Sequence, residues 1–179
     1  MTRFLVALAL LAGLSLGLAE PGASNPLTKA GIGAYGVSNI PLVQDDAGKG
    51  ALFGIRGRFG LPVITFEPSI NFIKNGDGEA DVDGTTIALD PPKLTSYALN
   101  VLLKGGFMYT TAGIGVTSVE IKGGVGKSKE PTYNFGGGLE IGVGVLSIDV
   151  SPRLFIINTA DKASRKNLLI MAGATYYFF

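Results

Sequence analysis

Polar and apolar residues alternate with a period of two along much of this chain, and this pattern constrains the fold most strongly. It is clearest in the segments 64–72, 133–143 and 146–156. In the first of these, one set of alternate positions is apolar and the other polar: Ile64, Phe66, Ile70 and Phe72 against Thr65, Glu67, Ser69 and Asn71. A period of two indicates β-strands that have one apolar and one polar face.

Eight such segments follow one another through the chain. They are predicted as strands near 29–38, 50–60, 63–73, 94–103, 107–121, 132–143, 146–157 and 167–179. Their lengths suit the ~9–11 residues that a tilted strand needs to cross a bilayer. The facing of 29–38 and of 107–121 stays open, because their patterns are ambiguous.

Long and short connections alternate strictly between these segments. The long ones are Asn39–Lys49, Lys74–Lys93, Lys122–Pro131 and Asn158–Lys166, and the short ones are Leu61-Pro62, Lys104–Gly106 and Gly144-Val145. This alternation places all long loops at one end of an all-β, eight-stranded antiparallel up-and-down barrel. A soluble lipocalin-like barrel would also have eight strands, but normally with its apolar face inside.

Aromatic residues fall at two levels when the strands are threaded up and down. One level holds Phe53, Phe72, Tyr97, Tyr133 and Phe135, and the other holds Phe59, Phe107, Tyr109, Tyr177 and Phe179. Two aromatic belts around an aliphatic band match the two interfaces of a membrane. The sequence therefore favours a transmembrane β-barrel over a soluble one.

The N-terminus has the features of a secretory signal peptide. Arg3 precedes an apolar run from Phe4 to Leu18, and Gly17 and Ala19 supply the small residues of a cleavage site before Glu20. We therefore expect residues 1–19 to be a signal peptide and residues 20–179 to be the barrel domain.

The composition of the exported chain limits its partners. In the full sequence, hydrophobic residues make up 46% and charged residues 16%, against a usual charged share of about a quarter. Of the 15 basic and 14 acidic residues, the signal peptide carries only Arg3, so the remaining chain is formally neutral. Nucleic acid is not an expected partner, because binding it requires a basic surface.

The C-terminal segment 167–179 ends in Tyr176-Tyr177-Phe178-Phe179. Counting back by two from Phe179 through Tyr177 gives a mostly apolar face, which we interpret as the lipid side. With the glycine-rich run Asn134–Glu140 and the strand that begins at Leu146, this ending resembles the small eight-stranded OmpA-like and OmpX-like outer-membrane barrels. The likeness covers the whole exported chain as a pattern.

The resemblance implies a bacterial outer-membrane location and contact with outer-membrane lipid. It also implies recognition of the C-terminal strand by the barrel insertion machinery, and a monomeric barrel. Full-length OmpA-type proteins carry a periplasmic peptidoglycan-binding domain after the barrel, which this sequence lacks, so anchoring through that domain is not expected.

Polar residues on the inferred inner face predict a lumen network: Arg56, Arg58, Glu67, Ser69, Asn71, Asn100, Glu140, Asp149 and Arg153. Two-residue turns would place Arg56 opposite Glu67 and Glu140 opposite Asp149. The two paired carboxylates would then need an arginine or a raised pKa. A charged eyelet in a narrow pore is the alternative, but eight strands leave room for little beyond side chains.

An acidic loop offers a candidate cation site. Its acids are Asp77, Glu79, Asp81, Asp83 and Asp90, which partly match the spacing of a calcium loop around Gly84. No helices flank it, and a solvated acidic loop is the favoured interpretation. A calcium-like divalent cation is the one cofactor that the sequence suggests.

The sequence predicts no enzyme, because it contains no His and no Cys. Acyl-transfer catalysis then lacks its usual general base and its best nucleophile. We expect a structural or surface-interaction protein with four external loops, with a narrow porin-like channel for ions or small solutes as the alternative. A soluble periplasmic ligand-binding barrel is a third hypothesis.

Overall fold

The chain folds as an all-β protein in a computed structural model that describes residues 29–42, 48–61, 63–76, 78–82, 85–89, 93–120, 127–158 and 164–178. Ten strands are present in these ranges: β1 (Lys29–Pro41), β2 (Gly48–Gly60), β3 (Ile64–Gly76), β4 (Gly78–Val82), β5 (Thr85–Leu89), β6 (Lys93–Gly105), β7 (Met108–Glu120), β8 (Lys127–Val143), β9 (Leu146–Ile157) and β10 (Arg165–Tyr177).

Eight of the strands form a closed antiparallel barrel in the order β1-β10-β9-β8-β7-β6-β3-β2. Each of the eight predicted segments overlaps one barrel strand, so the predicted fold class is confirmed. Strands β4 and β5 form a separate two-stranded hairpin. The prediction of a plain loop between β3 and β6 is therefore wrong, because the pairs from Gly78↔Leu89 to Val82↔Thr85 extend it as a hairpin.

Tight turns lie at one end of the barrel, which we call the turn end, and the longer connections lie at the other, the loop end. Two of the turns begin with a glycine of positive φ, Gly106 at 61° and Gly144 at 62°. Only glycine adopts this backbone at little cost, which explains its position in two-residue hairpin turns. The predicted alternation of long and short connections is confirmed.

Burial alternates along the barrel strands, with polar side chains inside and apolar side chains outside. Glu67 and Thr175 are fully buried in the lumen, whereas Ile141 and Ile148 are 65% and 59% exposed on the outer surface. The predicted facing of 64–72 and 146–156 is confirmed. This distribution is the reverse of a soluble barrel, and it suits an outer surface in contact with lipid.

The predicted facing of the C-terminal strand is wrong by one residue. Tyr176 and Phe178 are the exposed residues, and their rings meet edge to face at 5.4 Å. Tyr177 instead donates a hydrogen bond to Glu140 at the turn end of the lumen. The pattern misled because the inner face of β10 is also apolar nearer the loop end, at Leu169 and Met171. Phe179 lies outside the described residues.

The two aromatic levels are present, but two assigned members, Tyr177 and Tyr109, point into the lumen. Phe53 stacks on Phe72 near the loop end, and Phe59 stacks on Phe66 near the turn end. Tyr109, predicted to belong to the turn-end belt, is only 2% exposed and lies in the lumen. Its facing could not be read from the ambiguous pattern of 107–121.

Among the described residues, no helix has the length and apolarity needed to cross a bilayer. The predicted signal peptide, residues 1–19, lies outside the described residues and stays a prediction.

Candidate functional site: the filled barrel lumen

Five charged residues meet in the middle of the lumen, and we call them the charge cluster: Arg56, Arg58, Glu67, Asp149 and Arg153. They come from β2, β3 and β9, and each side chain is at most 4% exposed. Positions 56 and 58, like 149 and 153, share a strand face because their spacing is even. The inner face of a small barrel therefore brings together residues that are far apart in sequence.

Glu67 is surrounded by all three arginines of the cluster. Arg58 Nε donates to Glu67 Oε2 at 2.8 Å, and Arg153 Nη1 lies 2.8 Å from Glu67 Oε1. Arg56 Nη1 is farther away, at 3.7 Å from Oε2. Both carboxylate oxygens thus have a cationic partner, as a buried carboxylate requires.

Asp149 is the second buried carboxylate of the cluster. Arg56 binds it through both terminal nitrogens, with Nη1 at 3.0 Å from Oδ2 and Nη2 on Oδ1. Arg58 Nη2 and the hydroxyl of Tyr109 also donate to Oδ2, at 3.3 Å and 3.0 Å. A bidentate arginine fixes both the distance and the orientation of the carboxylate.

The cluster continues to the turn end through Glu140. Its Oε2 lies 2.7 Å from Lys104 Nζ and 3.3 Å from Arg58 Nη1, and its Oε1 accepts from Tyr177 at 3.0 Å. Glu140 faces Asp149 across the β8–β9 pair, which confirms the predicted register. Arg58 lies between the two carboxylates, so an arginine does separate them.

The predicted register, which places Arg56 directly opposite Glu67, is wrong, although Arg56 Nη1 still lies 3.7 Å from Glu67 Oε2. Arg56 faces Ser69, and Phe59 faces Phe66, because the connection after Gly60 is longer than the two-residue turn that the prediction assumed. The register therefore moves by two residues, and Arg58 becomes the close partner of Glu67.

Amide side chains form a second group beside the cluster. Asn100 Nδ2 donates to the backbone oxygen of Glu67 at 3.1 Å, and Asn134 Nδ2 donates to Asn100 Oδ1 at 2.8 Å. Asn71 Oδ1 accepts from the hydroxyl of Tyr35. Gly113 leaves room for these amides, since a Cβ there would lie 2.6 Å from Asn134 Nδ2.

An apolar layer lies inside the barrel between the cluster and the loop end. Five of its residues follow one another around the barrel through the register pairs of β1, β2, β3, β6 and β7: Val37, Leu52, Ile73, Leu94 and Val119. Phe155, Ile157, Leu169 and Met171 complete the layer from β9 and β10. This layer was not predicted from the sequence, because the inner face was expected to be polar throughout.

All nine residues predicted for the lumen network lie on the inner face. Glu140 is half-buried, and the other eight are buried: Arg56, Arg58, Glu67, Ser69, Asn71, Asn100, Asp149 and Arg153. Sequence reasoning missed further residues that join the network, among them Tyr35, Lys104, Tyr109, Asn134 and Tyr177. The aromatic ones were missed because they were expected in membrane belts or lie on strands of ambiguous facing.

The acidic loop gives no test of the cation hypothesis. Asp77, Asp83 and Asp90 lie outside the described residues, and Glu79 and Asp81 are described only as backbone positions on β4. Within the ranges that the structure describes, no group of three or more potential metal-ligating side chains is close enough to hold an ion. The predicted cation loop therefore stays a prediction.

The charge cluster fills the middle of the lumen and cross-links its strands. Glu67 and Asp149 are each held by arginines, and their side chains are fully buried. A general acid or base must come within hydrogen-bond reach of a substrate, and neither carboxylate has a solvent-exposed surface from which to do so.

The reversed distribution of polar and apolar residues and the eight-stranded closed sheet define this chain as a β-barrel of the outer-membrane type. No protein-family model and no curated protein matches it. Solved structures match its fold across most of its length.

Three small outer-membrane barrels illustrate the likeness. Neisserial surface protein A matches with a TM-score of 0.55 and 16% identity, over 84% of this chain and 97% of that one. The Yersinia pestis outer membrane protein Ail gives 0.55 and 15%, over 85% and 100%. The N-terminal β-barrel domain of Pseudomonas aeruginosa OprF gives 0.53 and 12%, over 85% and 100%. At these identities the likeness concerns the fold.

Proposed function

We propose that this protein is an integral barrel of the bacterial outer membrane with a closed lumen, and that it acts through its loop end in a structural or surface-interaction role. The observation that carries the proposal is the filled interior. The charge cluster spans the lumen from β2 and β3 to β9 through direct ion pairs of 2.8 to 3.3 Å, so its side chains occupy the middle of the lumen.

The apolar layer is a second obstacle to conduction. Ions cross a constriction only where they keep their hydration water or where polar groups replace it. An apolar constriction excludes water and offers no such groups. Leu52, Leu94 and Phe155 are at most 6% exposed in this layer. A narrow channel would therefore need both the cluster and the layer to rearrange.

The remaining surfaces leave the loop end as the place for contacts with partners. The outer face between the aromatic belts is apolar and suits lipid. The connections at the turn end are short, whereas those at the loop end are longer, and one of them contains the β4–β5 hairpin. The outer-membrane folds that match this chain support the location.

Single-channel recording tests the closed lumen. We expect the folded protein in a planar lipid bilayer to give no current steps above those of a boiled sample, while a porin added afterwards conducts. Discrete, reproducible steps from the folded protein alone would overturn the proposal in favour of a narrow channel for ions or small solutes.

A further inference from the structure

Two junctions of the barrel are interrupted by a proline. Between β2 and β3 the paired residues stop at Arg56↔Ser69 and resume at Phe59↔Phe66. Gly57 and Pro68 would form one of the two missing pairs. Both missing pairs depend on a hydrogen bond from the N–H of residue 68 to the carbonyl of Gly57, because neighbouring pairs of an antiparallel ladder share their bonds. Proline has no N–H to donate.

The same interruption occurs between β8 and β9. The pairs stop at Gly136↔Arg153 and resume at Leu139↔Val150. Gly137 and Pro152 occupy one missing position, so here too a glycine carbonyl faces a proline nitrogen. Prolines inside strands are normally confined to edges and bulges, and a closed barrel offers no edge.

The two proline junctions lie on opposite sides of the barrel. Three junctions separate them in either direction around the closed order. The described pairs of these six junctions run without such a gap. The barrel is thereby divided into two four-stranded halves, one made of β9, β10, β1 and β2 and the other of β3, β6, β7 and β8.

On the outer surface, few side chains cover the backbone of the β2/β3 junction. Beside it lies an apolar groove of about 690 Å³, whose lining includes Gly57, Pro68, Ile55 and Leu99. Glycine contributes no side chain to this surface. A backbone group without its partner at membrane depth cannot be satisfied by lipid, so we expect the ladder to be weakest here.

The lumen charges join the two halves. Arg56, Arg58, Arg153 and Asp149 belong to the first half, whereas Glu67, Glu140 and Lys104 belong to the second. Their formal charges are therefore +2 and −1, which attract across the junctions. Arg58 pairs with both Glu67 and Glu140 from the opposite half.

Glu67 connects the two proline junctions directly. It immediately precedes Pro68, and Arg153 immediately follows Pro152. Their side chains meet at 2.8 Å across the lumen, while Arg58 reaches Glu67 across the first junction at the same distance. Side-chain bonds thus lie beside both places where a backbone bond is missing.

We propose that the barrel opens first along the β2/β3 and β8/β9 junctions, and that Glu67 is the positioning residue that holds both closed through Arg58 and Arg153. The two prolines weaken the ladder, and the cross-lumen ion pairs compensate for them. The other six junctions stay closed when the ion pairs of Glu67 are removed.

Residue-resolved amide hydrogen exchange of the protein in lipid nanodiscs tests the proposal. In P68A/P152A, the restored N–H groups are expected to slow exchange around Phe59 and Leu139 by about fivefold, the ratio that one net hydrogen bond gives. Exchange around Leu94 and Val119, on the uninterrupted β6/β7 junction and away from both prolines, should not change. P131A is the matched control, because Val116↔Pro131 lies in an unbroken run of pairs.

The E67Q variant tests the ion pairs of Glu67 with Arg58 and Arg153. We expect exchange at both proline junctions to rise by about tenfold or more, as the loss of bonds to charged groups implies, and to rise less in E67Q/P68A/P152A. Uniform acceleration around the barrel, or opening first between β1 and β10, would overturn the proposal. If E67Q does not fold, P68A/P152A decides alone, since unchanged exchange at Phe59 and Leu139 would refute it.

Discussion

Replacing Glu67 with glutamine is expected to lower the free energy of unfolding by about 3–5 kcal/mol, the usual cost of removing one partner from a buried ion pair. Glutamine keeps the shape of the side chain but loses its negative charge. Arg58 and Arg153 would then face a neutral amide, and the cluster would hold three arginines against the single carboxylate of Asp149. Their buried charge has no route to water.

Urea titration in lipid vesicles, read from the folded fraction on unboiled gels, measures this loss. Glu120→Gln is the matched control, because Glu120 is exposed at the loop end, where a surface ion pair contributes about 0–1 kcal/mol. Equal stabilities of the Glu67 and Glu120 variants would contradict a lumen held together by the charge cluster.

Replacing Ile55 with arginine is expected to destabilise the membrane-inserted barrel by about 2–4 kcal/mol, as a cation near the bilayer midplane does. Ile55 is 45% exposed on the outer face of β2, between the two aromatic belts at Phe53 and Phe59. The size of this effect distinguishes a membrane-spanning barrel from a soluble one. On a soluble barrel, an arginine at this exposed position would be neutral, since it would be solvated by water.

The same urea titration measures the Ile55 variant, and Val145→Arg provides its control. Val145 is 55% exposed in the tight turn between β8 and β9, where an arginine would lie outside the hydrocarbon and should cost about 0–1 kcal/mol. If Ile55→Arg were as stable as Val145→Arg, the outer face would not be a lipid-facing surface.

The strands and their facing were predictable where the two faces differ sharply. In β3, Thr65, Glu67 and Ser69 alternate with aliphatic and aromatic residues, and in β9 Asp149 and Arg153 do the same. A polar side chain on a transmembrane strand faces the lumen, because the other face of the strand contacts lipid. The facing of the strand therefore follows from the pattern. The nine residues of the predicted lumen network were found for this reason.

The errors arose where both faces are apolar or where a turn length was assumed. Leu169 and Met171 belong to the apolar layer, so the inner face of β10 looked like a lipid face and Tyr177 was assigned outward. The β2–β3 register depends on the geometry of the connection after Gly60, which its residue types do not determine. The β4–β5 hairpin was hidden by a glycine- and aspartate-rich sequence, which favours a loop.

The proline junctions show a feature that single-strand patterns cannot reveal. Pro68 and Pro152 are apparent in the sequence, but their opposition across the barrel depends on the closed strand order and on two registers. The role of Glu67 likewise depends on Arg153, 86 positions away in the chain, reaching it across the lumen. Non-local geometry of this kind is supplied by the folded barrel.

Retention in the membrane is the most direct test of the central claim that this chain is a membrane-spanning barrel. The protein, folded into lipid vesicles, is washed with alkaline carbonate and then run on a gel with and without boiling. We predict that it stays with the lipid and that the unboiled band migrates differently from the boiled band, because a closed barrel resists unfolding until heated. Release into the wash together with a single, unshifted band would contradict the account.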